Sequence, residues 1–103
     1  MKKGGDMRTI NAAPSTVGEI LYEEFLKPLD MPPARLAELM DTTYEKIWEI
    51  IKNERDITLE EATQLSIIFN TDASFWMKLQ ELYKTWFNKQ KKGYSIRLLN
   101  RNT

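Results

Sequence analysis

Apolar residues recur every three or four positions in five segments of this 103-residue chain, and that spacing constrains its fold more than any other feature. Side chains three or four positions apart share one face of an α-helix, whereas those of a strand alternate between two faces. In the first segment, Val17, Leu21 and Phe25 form the inward face. We therefore predict an all-α, five-helix fold around one core. A short strand over residues 94–99, after Gly93, is the one other element that the sequence suggests.

Residues that favour helix N-termini predict where several of these helices begin. Thr16 and Thr58 are each followed three positions later by a glutamate, which is the pattern of a capping box. Thr43 is a favourable N-cap for the third helix, and Asp72 or Ser74 can start the fifth. These positions divide the chain into short helices with short connections.

The predicted helix ends follow from proline and asparagine. We expect the first helix to run to about Lys27, because Pro28 cannot donate a backbone hydrogen bond. The second helix is expected to begin at Pro32-Pro33, since proline is tolerated in a first turn. Asn53 and Asn70 are expected to end the third and fourth helices in the left-handed conformation.

Residues 35–53 have the spacing of a helix-turn-helix, in which the first helix braces the second and the second enters the major groove of DNA. The packed faces must be apolar, and a small residue must lie where the helices cross. These requirements are met by Leu36, Ala37, Met40, Ile47 and Ile50. The stretch carries three basic and four acidic side chains, so its net charge of −1 opposes binding to a polyanion.

The composition argues against several classes of function. The chain contains no histidine and no cysteine, so it lacks the commonest general base, the usual catalytic triads, disulfides and thiolate metal sites. We therefore expect no enzymatic activity, no metal and no cofactor. No apolar run of about 18 residues is present, and the first lysines are not followed by an apolar stretch. We expect neither a membrane span nor a secretory signal.

The fifth segment carries more apolar surface than a domain of this size needs for its core. Large apolar side chains recur from residue 75 to residue 87: Phe75, Trp76, Leu79, Tyr83, Trp86 and Phe87. Left exposed, they would form a large apolar patch, which monomers avoid. Tyrosine and tryptophan also dominate the energetics of interfaces. We predict that this stripe forms a two-fold interface between copies of the chain; the alternative is a single large core.

Charge is distributed unevenly along the chain, although the net charge is zero. Between Glu19 and Glu81 there are fourteen acidic and six basic residues, whereas residues 84–103 have six basic and no acidic residues. We expect a flexible N-terminal arm over residues 1–14, a helix-turn-helix domain with its dimerisation helix over 15–88, and a basic C-terminal tail over 89–103. The basic ends are suited to contact phosphates or an acidic protein surface, or are solvated tails.

Residues 18 to about 83 resemble the HigA group of antitoxins, which carry a compact Cro/C1-type (lambda-repressor-like) helix-turn-helix domain. The similar stretches are GEILYEEFLKPLDM, LAELM and ITLEEATQLSIIFNTDASFWMKLQELY. The most specific pieces are Gly18-Glu19-Ile20-Leu21, followed by Glu24-Phe25-Leu26, and the block Phe75-Trp76-x-x-Leu79-Gln80.

The resemblance implies a cytoplasmic bacterial protein that binds and neutralises a HigB-type toxin, which cleaves messenger RNA. It also implies a homodimer that represses its own operon at a palindromic operator. The chain departs from the family's usual pattern at Asp41, which replaces glycine, at Thr42, which replaces an apolar residue, and at Glu54, which replaces a basic residue. Because aspartate tolerates the left-handed conformation, we expect the fold to be kept and the operator sequence and affinity to differ.

Side-chain chemistry suggests which residues contact DNA. Cations neutralise phosphates, and the candidates are Arg35, Lys46, Lys52 and Arg55. Glutamate can accept a hydrogen bond from cytosine, and threonine or aromatic side chains can contact other base edges. The candidate base contacts are Thr43, Tyr44, Glu45 and Trp48. Trp48 can instead be a core or interface residue. The acidic body is suited to attract a basic toxin.

Two other functions remain open at this stage. The chain can be a stand-alone transcription regulator with the same fold and no toxin, or a protein-interaction module whose helix-turn-helix no longer binds DNA. A neighbouring gene for a basic protein of about 100 residues would favour the antitoxin. Binding to the DNA upstream of the gene would exclude the interaction module.

Overall fold

The computed structural model of the protein describes the backbone of residues 13–102 and the side chains of residues 13–90. Five helices and no strand occur in residues 13–102, as the all-α prediction requires. They are α1 (Val17–Ile20), which continues as a π-helical segment (Leu21–Leu26), α2 (Pro33–Leu39), α3 (Tyr44–Ile51), α4 (Leu59–Phe69) and α5 (Ala73–Asn102). Most of the predicted N-terminal arm lies outside the described residues.

The strand predicted over residues 94–99 is wrong, because α5 continues through this segment to Asn102. A single glycine inside a helix costs only about 1 kcal/mol relative to alanine, so Gly93 need not interrupt it. The backbone of the predicted C-terminal tail is therefore helical from residue 89 to residue 102. None of the helices in the described residues is both long enough and apolar enough to cross a membrane.

All three predicted threonine caps are confirmed. The Thr16 hydroxyl accepts from the backbone N–H of Glu19 at 3.1 Å, and the Glu19 carboxylate accepts from the Thr16 N–H at 2.9 Å. Thr58 and Glu61 form the same reciprocal pair at 3.0 and 2.9 Å. The Thr43 hydroxyl accepts from the Lys46 N–H at 3.2 Å at the start of α3. Local sequence thus fixes where α1, α3 and α4 begin.

The π-helical segment was not predicted, and it changes which side chain of the first helix is buried. The Lys27 N–H donates to the carbonyl of Tyr22, five residues earlier, at 2.9 Å. Residues five apart are brought toward the same face in such a helix. Leu21 and Leu26 are accordingly 0% and 1% exposed, whereas Phe25, predicted to face inward, is half-buried.

Left-handed residues follow four of the helical segments. Asp41, Asn53 and Asn70 have φ of 55–58°, as predicted, and Asp30 has the same conformation. At Asp41, the backbone N–H donates to Glu38 O and the next N–H donates to Ala37 O. This is a Schellman motif, which satisfies the last carbonyls of α2. The turn therefore forms without the glycine that is usual there.

The described residues divide into two units, residues 15–81 and residues 82–102. The first unit contains the core, whose largest fully buried side chains are Trp76, Leu21, Leu26, Leu36, Ile47, Ile50 and Leu65. Gly18 lies where α1 crosses the end of α3, and a Cβ there would overlap the carbonyl oxygens of Ile50 and Ile51. Close approach of these two helices therefore requires glycine at position 18.

Candidate nucleic-acid interface

Helices α2 and α3 form a helix-turn-helix. Between them lie Met40, Asp41, Thr42 and Thr43, with the Schellman motif closing α2 and the Thr43 cap opening α3. The five residues predicted to pack the two helices, Leu36, Ala37, Met40, Ile47 and Ile50, are all less than 5% exposed. Leu39, whose spacing also predicts an inward position, is 42% exposed. The burial of the five packed residues fixes which face of α3 remains for another molecule.

The outward face of α3 carries most of the predicted DNA contacts. Thr43, Tyr44, Glu45, Lys46 and Lys52 are exposed. The Thr43 hydroxyl already accepts the Lys46 N–H, so its proton and one acceptor lone pair remain for DNA. Replacing Thr43 with alanine would therefore weaken the helix as well as any contact to a base.

Trp48 is half-buried, and its indole is held on two sides. Its ring centroid lies 6.3 Å from that of Tyr22 and 6.1 Å from that of Tyr44. The Lys52 ammonium lies 6.0 Å from the centre of the Trp48 ring, at the outer limit of a cation–π contact. Trp48 thus packs within its own chain and also lines the outer surface of α3.

An open groove of about 350 Å³ runs along this face of α3. It is lined by Tyr44, Glu45, Trp48, Glu49, Lys52 and Glu54. The groove combines an aromatic row, an acidic row and one lysine. Its chemistry is unlike a plain phosphate-binding surface, which would be lined by basic side chains.

Arg55 does not have the role predicted for it. Its Nε–H donates to Glu49 at 2.8 Å, and two further N–H groups donate to the two Glu61 oxygens at 3.0 and 2.9 Å. The remaining two N–H groups donate to the backbone oxygens of Lys46 and Asp56 at 3.3 and 3.1 Å. A guanidinium has five N–H donors. All five are used within the chain, so Arg55 is not free to bind a phosphate.

The same network changes the protonation equilibria of its members. Hydrogen bonding to Glu61 raises the pKa of Arg55 above its ordinary value, although partial burial opposes this. Burial alone would raise the pKa of the Glu61 carboxyl, but hydrogen bonds from Arg55 and the Thr58 backbone outweigh it and hold that pKa below 4.5. Both groups stay charged at neutral pH, and the network links the C-terminal half of α3 to the start of α4.

The candidate phosphate contacts are therefore reduced to three cations. Lys46 and Lys52 form no ion pair within residues 13–90. Arg35 pairs with Glu38 at 2.9 Å, but both side chains are more than half exposed. An exposed pair contributes at most about 1 kcal/mol, so a phosphate can replace the carboxylate.

Trp76 also differs from its predicted role in the two-fold interface. It is fully buried, its ring lies about 5 Å from those of Phe25 and Phe75, and its Nε1 donates to Thr71 Oγ1 at 2.7 Å. Trp76 is thus part of the core of its own chain and has no surface to offer a second copy. Phe75 is 39% exposed and Leu79 is half-buried against the core.

The remaining aromatic residues of the stripe belong to the second unit. The ring centroid of Tyr83 lies 5.8 Å from that of Trp86 and 6.3 Å from that of Phe87. Leu82 and Phe87 are 49% and 46% exposed. These four residues, which we call the aromatic cluster, leave apolar surface accessible.

Two glutamines that the sequence does not single out as functional residues bond to the backbone of the turn and of the α3–α4 connection. The Gln64 amide donates to the Met40 carbonyl at 3.1 Å, beside the turn. Gln80 both accepts from the Ile57 N–H at 2.7 Å and donates to the Ile57 carbonyl at 3.2 Å. Gln80 ends the Phe75–Gln80 block of the sequence. A polar side chain next to an apolar stripe is the sequence feature that indicates a buried hydrogen bond at this position.

The packed α2–turn–α3 pair with an outward second helix defines the chain as a helix-turn-helix protein. It is 38% identical over 87 residues to an uncharacterised helix-turn-helix-type transcriptional regulator of Haemophilus influenzae, covering 84% of this chain and 81% of that protein. It is 30% identical over 80 residues to antitoxin HigA-1 of Vibrio cholerae, covering 78% and 75%. The chain belongs to the HigA family of antitoxins.

A solved structure supports this assignment. The structure of Pseudomonas aeruginosa antitoxin HigA with the higBA promoter superposes with a TM-score of 0.76 and 35% identity, covering 81% of this chain and 90% of that one. A comparison with protein-family models finds no match. The similar proteins are regulators and antitoxins, and this chain is accordingly not an enzyme.

Proposed function

We propose that this protein is a cytoplasmic antitoxin that binds the operator of its own operon as a homodimer and neutralises a HigB-type toxin. The observation that carries the DNA-binding part is the outward face of α3, which is held by a packed α2 and a Schellman turn and is accessible along its length. A relative of the same fold and 35% identity is described with promoter DNA.

The charge of α3 is less unfavourable for DNA than its composition suggests. Glu49 and Glu61 are paired with Arg55, so this arginine neutralises part of the acidic charge near the groove. Lys46 and Lys52 remain for phosphates. We expect modest affinity that depends strongly on salt, with specificity set by the groove residues.

Lys46→Ala with Lys52→Ala tests this assignment. The double variant should bind a fluorescently labelled fragment of the DNA upstream of the gene more weakly than the parent, because each lysine neutralises a phosphate. The slope of log affinity against log salt concentration should fall by about one for each lysine that contacts a phosphate. Fluorescence anisotropy over a range of salt concentrations measures both quantities.

The control is Lys78→Ala, which removes one lysine charge from an exposed position on α5. It should leave the salt slope unchanged. Equal affinity and equal slope for the double variant and the parent would show that α3 does not contact phosphates. Thr43→Ser is preferable to Thr43→Ala for testing base contacts, because serine keeps the N-cap.

The homodimer is supported by the aromatic cluster. Leu82 and Phe87 expose about half of their surface next to Tyr83 and Trp86, and burying such side chains between two copies is favourable. Helix-turn-helix dimers bind half-sites that lie about 34 Å apart, one turn of the duplex, so a homodimer of this chain is suited to a palindromic operator.

Trp86→Ala with Phe87→Ala should weaken this dimer at least tenfold, since aromatic residues at the centre of an interface each contribute more than 1 kcal/mol. Sedimentation equilibrium of the full chain measures the change in Kd. Ile67→Ala, at a 75% exposed position on α4, is the control and should leave the dimer unchanged. A double variant that dimerises as tightly as the parent would remove the aromatic cluster from the interface.

The toxin partner is supported by the similarity to antitoxin HigA-1 and by the acidic residues between Glu19 and Glu81. A basic toxin would be attracted to such a surface. Co-expression with the adjacent reading frame should rescue growth, and the two proteins should co-purify. Binding to DNA without either result would identify a stand-alone regulator instead.

A further inference from the structure

Glu45 is the α3 side chain that points most directly away from the core. It lies two positions before Ile47 and five before Ile50, the buried residues of α3, or about 200° and 140° around the helix axis. It is exposed, and its carboxylate forms no ion pair or side-chain hydrogen bond within residues 13–90. The Glu45 carboxylate is therefore available to a duplex that α3 enters.

A carboxylate in the major groove has one favourable partner among the base edges. Cytosine presents only its N4 amino group, which is a donor. Adenine also has an amino group, but its N7 acceptor lies beside it and repels a carboxylate. Guanine and thymine present acceptors at the corresponding positions. The chemistry of Glu45 therefore selects cytosine.

The neighbouring residues of the groove favour thymine. Tyr44 is 49% exposed and packs edge-on against Trp48, so an apolar surface lies directly beside Glu45. Apolar side chains contact the thymine methyl group. No arginine, asparagine or glutamine, the side chains that bind guanine and adenine through two hydrogen bonds, occurs between Thr43 and Lys52.

We infer that each operator half-site contains a cytosine whose N4 amino group donates to the Glu45 carboxylate, beside a thymine whose methyl group packs on Tyr44 and Trp48. The inference rests on the proposed DNA-binding function and names the bases that this face of α3 selects. Glu45 is then a specificity-determining residue that does not increase overall affinity, because its charge opposes the phosphates.

Base analogues test the inference on the full-length protein. A footprint on the upstream DNA first defines the bound half-sites. Each cytosine in them is then replaced in turn by 2-pyrimidinone, which lacks the amino group, and each thymine by uracil, which lacks the methyl group. Fluorescence anisotropy should show at least a fivefold loss of affinity for the parent at one cytosine, and a smaller loss at an adjacent thymine.

The decisive measurement is the same series with Glu45→Ala. This variant should show no loss at the selected cytosine, while Glu60→Ala, which removes an exposed acid from α4, should keep the loss seen for the parent. Thermal unfolding of each variant verifies that the fold is kept.

The outcomes separate the inference from the proposed function. The inference is overturned if binding is specific but no cytosine amino group contributes to it. It is also overturned if Glu45→Ala discriminates between cytosine and 2-pyrimidinone as the parent does. Both results leave the regulator assignment intact. A parent protein that binds no fragment of the upstream DNA more tightly than unrelated DNA overturns both.

Discussion

Gly18→Ala is expected to destabilise the protein by about 3 kcal/mol or more, because the added methyl group has no space. Its Cβ would overlap the carbonyl oxygens of Ile50 and Ile51, which belong to the backbone and cannot rotate away. Helices α1 and α3 would have to separate, and added atoms in a packed interior commonly cost 1–3 kcal/mol even where side chains can adjust. In a domain of this size, a loss of 3 kcal/mol lowers Tm by about 10 °C or more.

Thermal unfolding followed by circular dichroism measures this effect, and Gly93→Ala is the matched control. Gly93 lies inside α5, where replacing glycine by alanine favours the helix by up to about 1 kcal/mol. The same substitution should therefore have opposite effects at the two positions. A Gly18→Ala variant as stable as the parent would show that the α1–α3 contact has room for a methyl group.

Arg55→Ala is expected to have the second largest effect, a loss of about 2–3 kcal/mol. The substitution leaves Glu61, whose side chain is only 16% exposed, without its bidentate partner, and removing one member of a largely buried pair is strongly destabilising. Arg55→Lys should recover little of the loss, because an ammonium cannot replace the planar fork that donates to Glu49 and Glu61 together. Urea unfolding at neutral pH measures both variants.

Arg35→Ala provides the matched control for Arg55→Ala. The Arg35–Glu38 pair has the same chemistry, but its side chains are 56% and 69% exposed, so its loss should change stability by less than about 1 kcal/mol. Equal effects of the two substitutions would mean that the Arg55 network contributes no more than a surface pair.

The difference between the parent and Arg55→Ala should also depend on pH. The pKa of Glu61 is lower in the folded protein than its usual 4.5, so its contribution to stability is present above that value. It is lost as the pH falls through the folded-state pKa. The two proteins should therefore become progressively more similar in stability as the pH falls below 4.5, as measured by urea unfolding across a pH series.

Helix starts and the inward faces of α2 and α3 could be predicted because they depend on residues close together in sequence. Thr16, Thr43 and Thr58 each bond to a residue three positions away, and the apolar spacing of α3 is local as well. The left-handed conformation of Asp41 followed in the same way from its side chain. Such features need no knowledge of the tertiary structure.

The errors concern residues whose roles depend on distant partners. The charge of Arg55 alone predicts a phosphate contact, whereas its guanidinium contacts Lys46, nine residues earlier, and Glu61, six residues later. Trp76 lies in a stripe of aromatic residues, and their spacing does not tell which of them belong to the core and which to an interface. Its packing against Phe25 places it in the core. The burial of Leu26 depends on a π-helical segment, which apolar periodicity does not reveal.

The residues of α3 that stabilise the fold are different from those that face outward, and this affects how the protein can evolve. The helix is held in place by the buried Ile47 and Ile50 and by hydrogen bonds to Arg55. Tyr44 and Glu45 belong neither to the core nor to the Arg55 network. With the base contacts proposed above, substitutions at Tyr44 and Glu45 would alter the DNA sequence that is recognised with little loss of stability. A duplicated copy of this gene could acquire a new operator through two changes and escape cross-regulation by its parent, while its folded body stayed the same.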